Sequence, residues 1–450
     1  MRIPLVLSHL SLITLAAATG SIGCKDSSNN SALDAPYAPL DATLPVDAPP
    51  RDAPFPLDAV LSDGATPSDG APLGDASPTA DAAPPIDAAP LGTVTSFAQF
   101  TNTVAVGVAV SRSGRVFVST SRAIDEHVPY SVAEILPNGQ AHVYPAASLF
   151  TQNTGAPAPN RLLSVQALTV DALDRLWILD TSKVGQAPIV PGTPKLVAID
   201  LRTNQPVQTI FFPAAVAGAS AMLNDVRVDL GKGASGVAFV TDSSAQGPNG
   251  IIVVDLATGA AIRRLNDDPT TRPEPGLVIT SEGAALTVRQ GAGAGTPLRV
   301  GADGIALDAD GHHLYYRALT GHHLYRVSSD ALASATTSDV DVAATIEDLG
   351  DLGFASDGLL ADAQGRLYLT DFEHNAIHRR NADGTMQLIA QDGQLLWPDS
   401  LALRPDGGLL ITTTQIERGA LLAGTDQRVR PLIVWQTPTD STPLSLRATP

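Results

Sequence analysis

Residues 310–327 read DGHHLYYRALTGHHLYRV and hold four of the nine histidines, as the pairs His312–His313 and His322–His323. Two apolar runs flank a short turn, which reads as an antiparallel hairpin reversing around Leu319–Thr320. That register sets His312 opposite Val327 and His322 opposite Arg317. The pairs then stand about five rungs apart, roughly 17 Å at ~3.4 Å per residue. Within each pair the side chains point to opposite faces. Four histidines so placed cannot converge on one metal ion. What the stretch reveals is a structural unit.

That unit recurs. A short apolar strand, a turn and a second strand with an apolar core occupy Gly107–Thr120, Ala167–Asp180, Asp225–Asp242, Gly304–Arg317, Gly358–Asp371 and Ser400–Thr413. Each copy is followed by a third strand, such as GIIVVDLATG after the third. A small sheet with two apolar faces is stable only when neighbours cover both, and radial stacking achieves that. Six copies predict an all-β chain folded as a six-bladed β-propeller over residues 93–450. The stretch VTSFAQFTNTV, 94–104, precedes the first copy and is expected to complete the last blade by ring closure.

The chain upstream has another texture. Arg2 and the apolar run IPLVLSHLSLITLAAATG have the size and polarity of an export signal. The run ends at SIGC, Ser21–Cys24, which resembles the lipobox of bacterial lipoproteins with Ser21 in place of the usual Leu. Residues 1–23 are read as a lipoprotein-type signal peptide and Cys24 as the lipidated residue. Ordinary cleavage after AAA is the alternative. Lys25 after the cysteine implies an outer-membrane or cell-surface lipoprotein, and otherwise a secreted protein. Residues 24–92 are an Asp/Pro/Ala-rich tether, with eleven Asp against Lys25 and Arg51 and with thirteen prolines. Such a segment buries too little apolar surface to fold and stays extended.

Composition excludes several classes. A net charge of −18 argues against a nucleic-acid partner. A single cysteine leaves no internal disulfide and no Cys-rich zinc site. The expected partner is a small molecule, with membrane contact only through a lipid at Cys24, and the expected state is a monomer.

Five motifs carry a resemblance: SVQALTVDALDRLWILDTS, LNDVRVD with VAFVTDSS, GADGIALDADGHHLYYRALTGHHLYRV, SDGLLADAQGRLYLTDFEHNAIHRR and LLWPDSLALRPDGGLLITT. In this order they resemble the major royal jelly protein/yellow family, in a bacterial form, over roughly residues 101–436. The resemblance implies a six-bladed propeller. It does not imply one function. Relatives are linked to dopachrome conversion, to binding of biogenic amines in the central cavity, or to storage.

The repeats also align chemistry. The residues just before the inner strands are Val106, Gln166, Asn224, Asp303, Asp357 and Asp399. In a propeller these converge at one mouth of the central channel. Like charges brought together raise one another's pKa unless a cation neutralises them. A protonated amine wants a carboxylate and an aromatic or apolar wall. Calcium wants six to eight oxygens. The broader resemblance to gluconolactonase/regucalcin-like propellers implies a calcium set of Asn224, Asp303 and Asp357, with Val106 where that family has Glu. Each acid alone is equally a strand-start cap. The column that ends the second strands, Thr120, Asp180, Asp242, Arg317, Asp371 and Thr413, is expected to anchor blade to blade. His374, in DFEHN, is the general acid–base candidate, the alternative being a structural loop histidine. Three functions follow. One is a ligand-binding propeller for aromatic amines or catechol derivatives, extending to dopachrome-type isomerisation. The second is a calcium-dependent lactonase-like hydrolase. The third is a non-catalytic surface protein that binds another protein.

Overall fold

The computed structural model describes residues 90–146, 161–190, 192–288 and 295–446. The signal peptide, Cys24 and the tether up to residue 89 lie outside the described residues. Six four-stranded antiparallel sheets are arranged as the blades of a propeller. Their inner strands are Val108–Val110, Val165–Val170, Leu223–Asp229, Ala302–Leu307, Leu359–Ala361 and Pro398–Leu403. Each of the six repeats supplies the first two strands of one blade. Ring closure is as expected: Thr95–Phe100 pairs antiparallel with Leu432–Pro438 and completes blade six, with Phe100 opposite Leu432.

The strands are apolar on both sides because both faces are covered. In RLWILD of blade two, Leu176 to Leu179 are wholly inaccessible. One hydrophobic cluster fills each junction between blades. Ala98, Val118, Ala133 and Val434 meet across the closure. Trp177, Leu196, Val226 and Ala238 meet between blades two and three.

Polar contacts also tie the blades, through a column other than the expected one. The Ser119 hydroxyl accepts from Gly107 N–H and donates to the Gln166 carbonyl of the next blade, both at 2.9 Å. Thr241 accepts from Asp225 N–H at 3.0 Å and donates to the Asp303 carbonyl at 2.7 Å. Thr412 accepts from Ser400 N–H at 2.9 Å and donates to the Val106 carbonyl at 2.6 Å, across the closure. Asp180, Asp242 and Thr413, one residue further on, bond within their own blades: to Lys195, to Met222 N–H and Arg263, and to the Ile433 carbonyl. The last rung faces a loop of its own blade, while the rung before it faces the neighbour. Thr241→Val keeps the shape and strands the part-buried Asp225 N–H and the buried Asp303 carbonyl. It is expected to cost about 1–3 kcal/mol, read from urea unfolding.

The histidine hairpin is displaced from its expected register by two residues. Val327 pairs with Leu314 and Ser328 with His313. The strand runs on past Ala318 because Leu319 and Thr320 donate to the carbonyls of Gly301 and Val300, which moves the turn to Gly321. Blade four also carries one extra residue in DADGHH, since Leu307 pairs with Leu314 where Ala361 pairs with Leu367. Ala318 therefore holds the position assigned to Arg317. Each histidine of the doublets faces its own acid: His312 faces Asp330, His313 Asp308, His322 Glu373 and His323 Asp348.

One insertion stands outside the blades. Between blades three and four lie two small hairpins, Thr280–Ser281 with Ala284–Ala285 and Thr287–Val288 with Thr296–Pro297. Ile279, Leu286 and Leu298 from this segment pack with Phe372, Trp397 and Leu422 into an apolar cap.

Candidate functional site

At or just before the start of each inner strand, one residue lines a common cavity. Four inner strands are irregular there: the register slips between Val165 and Ala167, Leu223 and Val226, Ala302 and Ile305, and Pro398 and Leu401. Gln166, Asn224, Asp303 and Asp399 sit inside those irregularities. A bulge bends a strand and re-aims a side chain. The ring is tight because the following residue is small. A Cβ on Gly304 would lie 2.2 Å from the Asp357 carbonyl oxygen, and one on Gly358 would lie 2.2 Å from that of Asp399.

The convergence expected from the sequence is found. Val106, Gln166, Asn224, Asp303, Asp357 and Asp399 all line one small cavity, together with Asp225. Its free space is about 10 Å³, enough for one water or one ion-sized group and not for an aromatic ring. The three aspartates are buried. Asn224 Nδ2 donates to Asp303 Oδ1. Trp397 Nε1 donates to Asp357 Oδ2 at 2.7 Å, and Ser400 Oγ donates to Asp399 Oδ1 at 3.0 Å. Gln166 Oε1 is buried with no hydrogen-bond partner among the described residues.

Burial dominates the electrostatics. It pushes the Asp357 carboxyl up to about 7, against the Trp397 hydrogen bond, which favours the charged form. Asp303 and Asp399 are held well above the usual carboxylate range, by burial first and by the Asp357 charge second. Asp303 and Asp357 interact directly, and burial disfavours the charged form of both. The ring is three buried carboxyls, each raised above the usual carboxylate range, around an acceptor with no partner among the described residues. Its chemistry calls for a positively charged donor.

The oxygens of Asn224, Asp303 and Asp357 are of the type calcium takes. Their arrangement is another matter. They are bonded to one another, and among the described residues no three His, Cys, Asp or Glu side chains are placed to hold a metal ion.

His374 is not part of this ring. Its Nδ1 lies 2.9 Å from Asp371 Oδ2, and His378 Nε2 reaches the same oxygen at 3.0 Å. The His374 side chain is 57 % exposed. Asp371 holds it in a loop, which is the structural alternative.

Three residues were missed in the sequence. Asp225 directly follows the column and accepts from Arg227 Nη1 at 2.6 Å. Arg227 then spans the channel, with Nη2 donating to the Leu359 carbonyl of blade five at 2.6 Å. Strand alternation carried the signal, since residues i and i+2 of NDVRVD share a face. Trp397 is the third. Only its place before the Pro398–Leu403 strand hinted that its indole would reach Asp357.

Comparison with known proteins adds the following. The major royal jelly protein family model matches residues 163–417. Major royal jelly protein 1 of Apis mellifera is 23 % identical over 256 residues, which cover 51 % of this chain and 54 % of that protein. Protein yellow of Drosophila madeirensis is 28 % identical over 137 residues, which cover 29 % of this chain and 24 % of that protein. The chain thus spans about half the length, or less, of these relatives. Among solved structures, a calcium-binding protein, regucalcin, from Agrobacterium tumefaciens superposes with a TM-score of 0.48 at 15 % identity, covering 81 % of this chain and all of that one.

Proposed function

The chain belongs to the major royal jelly protein family, and on that premise we propose that it is an exported propeller that binds a small organic cation at the acidic ring. The ligand class is an aromatic amine or catechol derivative. Residues 1–23 direct export, and Cys24 carries the lipid. One observation carries the reading: the buried Gln166 Oε1 has no donor among the described residues while three buried aspartates face the same small space. A primary ammonium brings three N–H donors and one positive charge. Seated there it satisfies Gln166 and replaces protons on Asp303, Asp357 and Asp399. The space of about 10 Å³ admits the head group alone. A carboxyl pushed up to about 7, as in Asp357, exchanges protons at working pH. Asp357 is therefore the group that exchanges a proton with the bound head group, and the small space at the ring keeps the carbons of a dopachrome-type isomerisation out of its reach.

Calorimetry tests this with dopamine and serotonin, and separately with calcium, on the wild type, Asp357→Asn and Gln166→Leu. Each substitution is expected to weaken amine binding about 10-fold or more. Wild-type affinity is expected to rise from pH 6 to pH 8, because the ammonium competes with protons for the ring. Amine binding indifferent to both substitutions and to pH sinks the reading. Calcium binding without amine binding moves the assignment to the lactonase-like hydrolase.

A further inference from the structure

Arg227 divides the channel, and the half beyond it holds a larger cavity. Its free space is about 130 Å³, close to the ~150 Å³ engineered cavity that holds benzene in another protein. Its walls are the far ends of the inner strands, with Val110, Val170, Leu360 and Leu403, and a C-terminal strap with Leu444. The strap is fixed in place. Ser441 Oγ donates to Asp362 Oδ2 at 2.6 Å, the Thr442 carbonyl accepts from Ala363 N–H at 2.9 Å, and Arg112 Nη2 donates to Ser445 Oγ at 3.2 Å.

Among the described residues two charged ones line the cavity, Asp171 and Arg227. Asp171 is saturated. It accepts from the backbone N–H groups of Leu173 and Arg175, from Arg175 Nε and from Trp177 Nε1, and its carboxylate is inaccessible. Arg227 is not saturated. Nη1 donates to Asp225 and to the Val226 carbonyl, and Nη2 donates to the Leu359 carbonyl. Among the described residues, those three bonds leave two of the five guanidinium donors. The Arg227 side chain is 17 % exposed.

We propose that this mouth of the channel is a second binding site, which takes a single-ring aromatic carboxylate. The ring fills the apolar volume and the carboxylate takes the two remaining Arg227 donors. A paired charge-assisted bond of this kind in a water-poor site is strong and orientation-specific. The two mouths thus select opposite charges, a cation at the aspartates and an anion at Arg227. This site does not depend on the amine reading.

The test is calorimetry on the full chain with benzoate, benzyl alcohol and benzylamine as probes. Two variants accompany the wild type: Leu444→Trp, which fills the cavity from the strap where Leu444 packs against the junction of blades four and five, and Arg227→Gln. Benzoate is expected to bind the wild type, with benzyl alcohol and benzylamine each about 10-fold weaker or more. Leu444→Trp is expected to weaken benzoate by about 10-fold or more, and Arg227→Gln to abolish the preference for benzoate over benzyl alcohol. No benzoate binding at millimolar concentration overturns the proposal. So does benzoate binding unaffected by Leu444→Trp, or benzylamine binding as tightly as benzoate. Loss of dopamine binding in Asp357→Asn with benzoate binding intact would separate the two sites.

Discussion

Gly358→Ala is expected to lower the melting temperature of the propeller by roughly 6 °C or more, which corresponds to about 3 kcal/mol. The added methyl would sit 2.2 Å from the Asp399 carbonyl oxygen and 3.2 Å from the Ser400 Cα. Both are backbone atoms of the next blade, so no side-chain rotation relieves the clash. The inner strands of blades five and six must move apart, and the hydrogen bond from Gly358 N–H to Thr370 Oγ1, at 3.1 Å, is strained with them. Gly304→Ala meets the Asp357 carbonyl oxygen at the same 2.2 Å and is expected to behave alike. Gly393→Ala is the control: nothing lies within 4 Å of its added Cβ, and its effect is expected to stay within about 0.5 kcal/mol. Differential scanning calorimetry of the three variants decides the matter. A Gly358→Ala protein as stable as the Gly393→Ala protein would mean that the ring is looser than the structure shows.

Stability is expected to fall as pH rises from about 4 to about 7, opposite to the trend set by salt-bridged carboxylates. The Asp357 carboxyl is raised from 3.8 to about 7, and Asp303 and Asp399 are raised with it. An acid whose folded pKa is raised binds its proton in the folded chain after the unfolded chain has released it. Its contribution is complete below the unfolded value near 4 and is lost as pH climbs through the folded value. At about 1.4 kcal/mol per unit, Asp357 alone is worth on the order of 4 kcal/mol over that interval. Asp426, held low by Arg428, contributes with the other sign and is lost only in stronger acid. Melting temperatures between pH 4 and pH 8 test this. Asp357→Asn is expected to flatten the slope by about one proton and to be more stable than the wild type at pH 8. A wild-type curve that rises from pH 5 to pH 8 would show that the ring is ionised and already neutralised by something else. An amine bound at the ring is expected to restore stability at high pH, which links this measurement to the proposed function.

Much of this was legible in the chain because a propeller is a local repeat. The copy at Gly358–Asp371 needs only its own alternation and its Asp362–Gly365 turn to declare itself a hairpin. Burial on both faces then requires a neighbour on each side. The column Gln166, Asn224, Asp303, Asp357, Asp399 followed from alignment of the copies, since equivalent residues of a radial repeat must meet at the axis. Alignment failed where a turn changed length. The extra residue of DADGHH moved Arg317 out of the column to which counting from Gly304 assigns it. The hairpin register failed for a related reason: Leu319 and Thr320 bond to Val300 and Gly301, which lie outside the hairpin, and no local pattern announces that.

The sequence alone determined the number of blades, the strand that closes the ring and the residue types that meet at one mouth, because these follow from period and alternation. Only the tertiary structure decided what those residues do together. How close the blades approach is set by Gly304 and Gly358 against the carbonyls of the next blade, and that distance leaves the aspartates room for a charged head group and no more. Which groups are satisfied is likewise a property of the assembled ring. Trp397 reaches Asp357 from outside the repeat, Gln166 Oε1 finds no donor among the described residues, and Arg227 crosses from blade three to blade five. Side chains far apart in the chain share one low-dielectric space, and their protonation depends on distances that no linear pattern encodes.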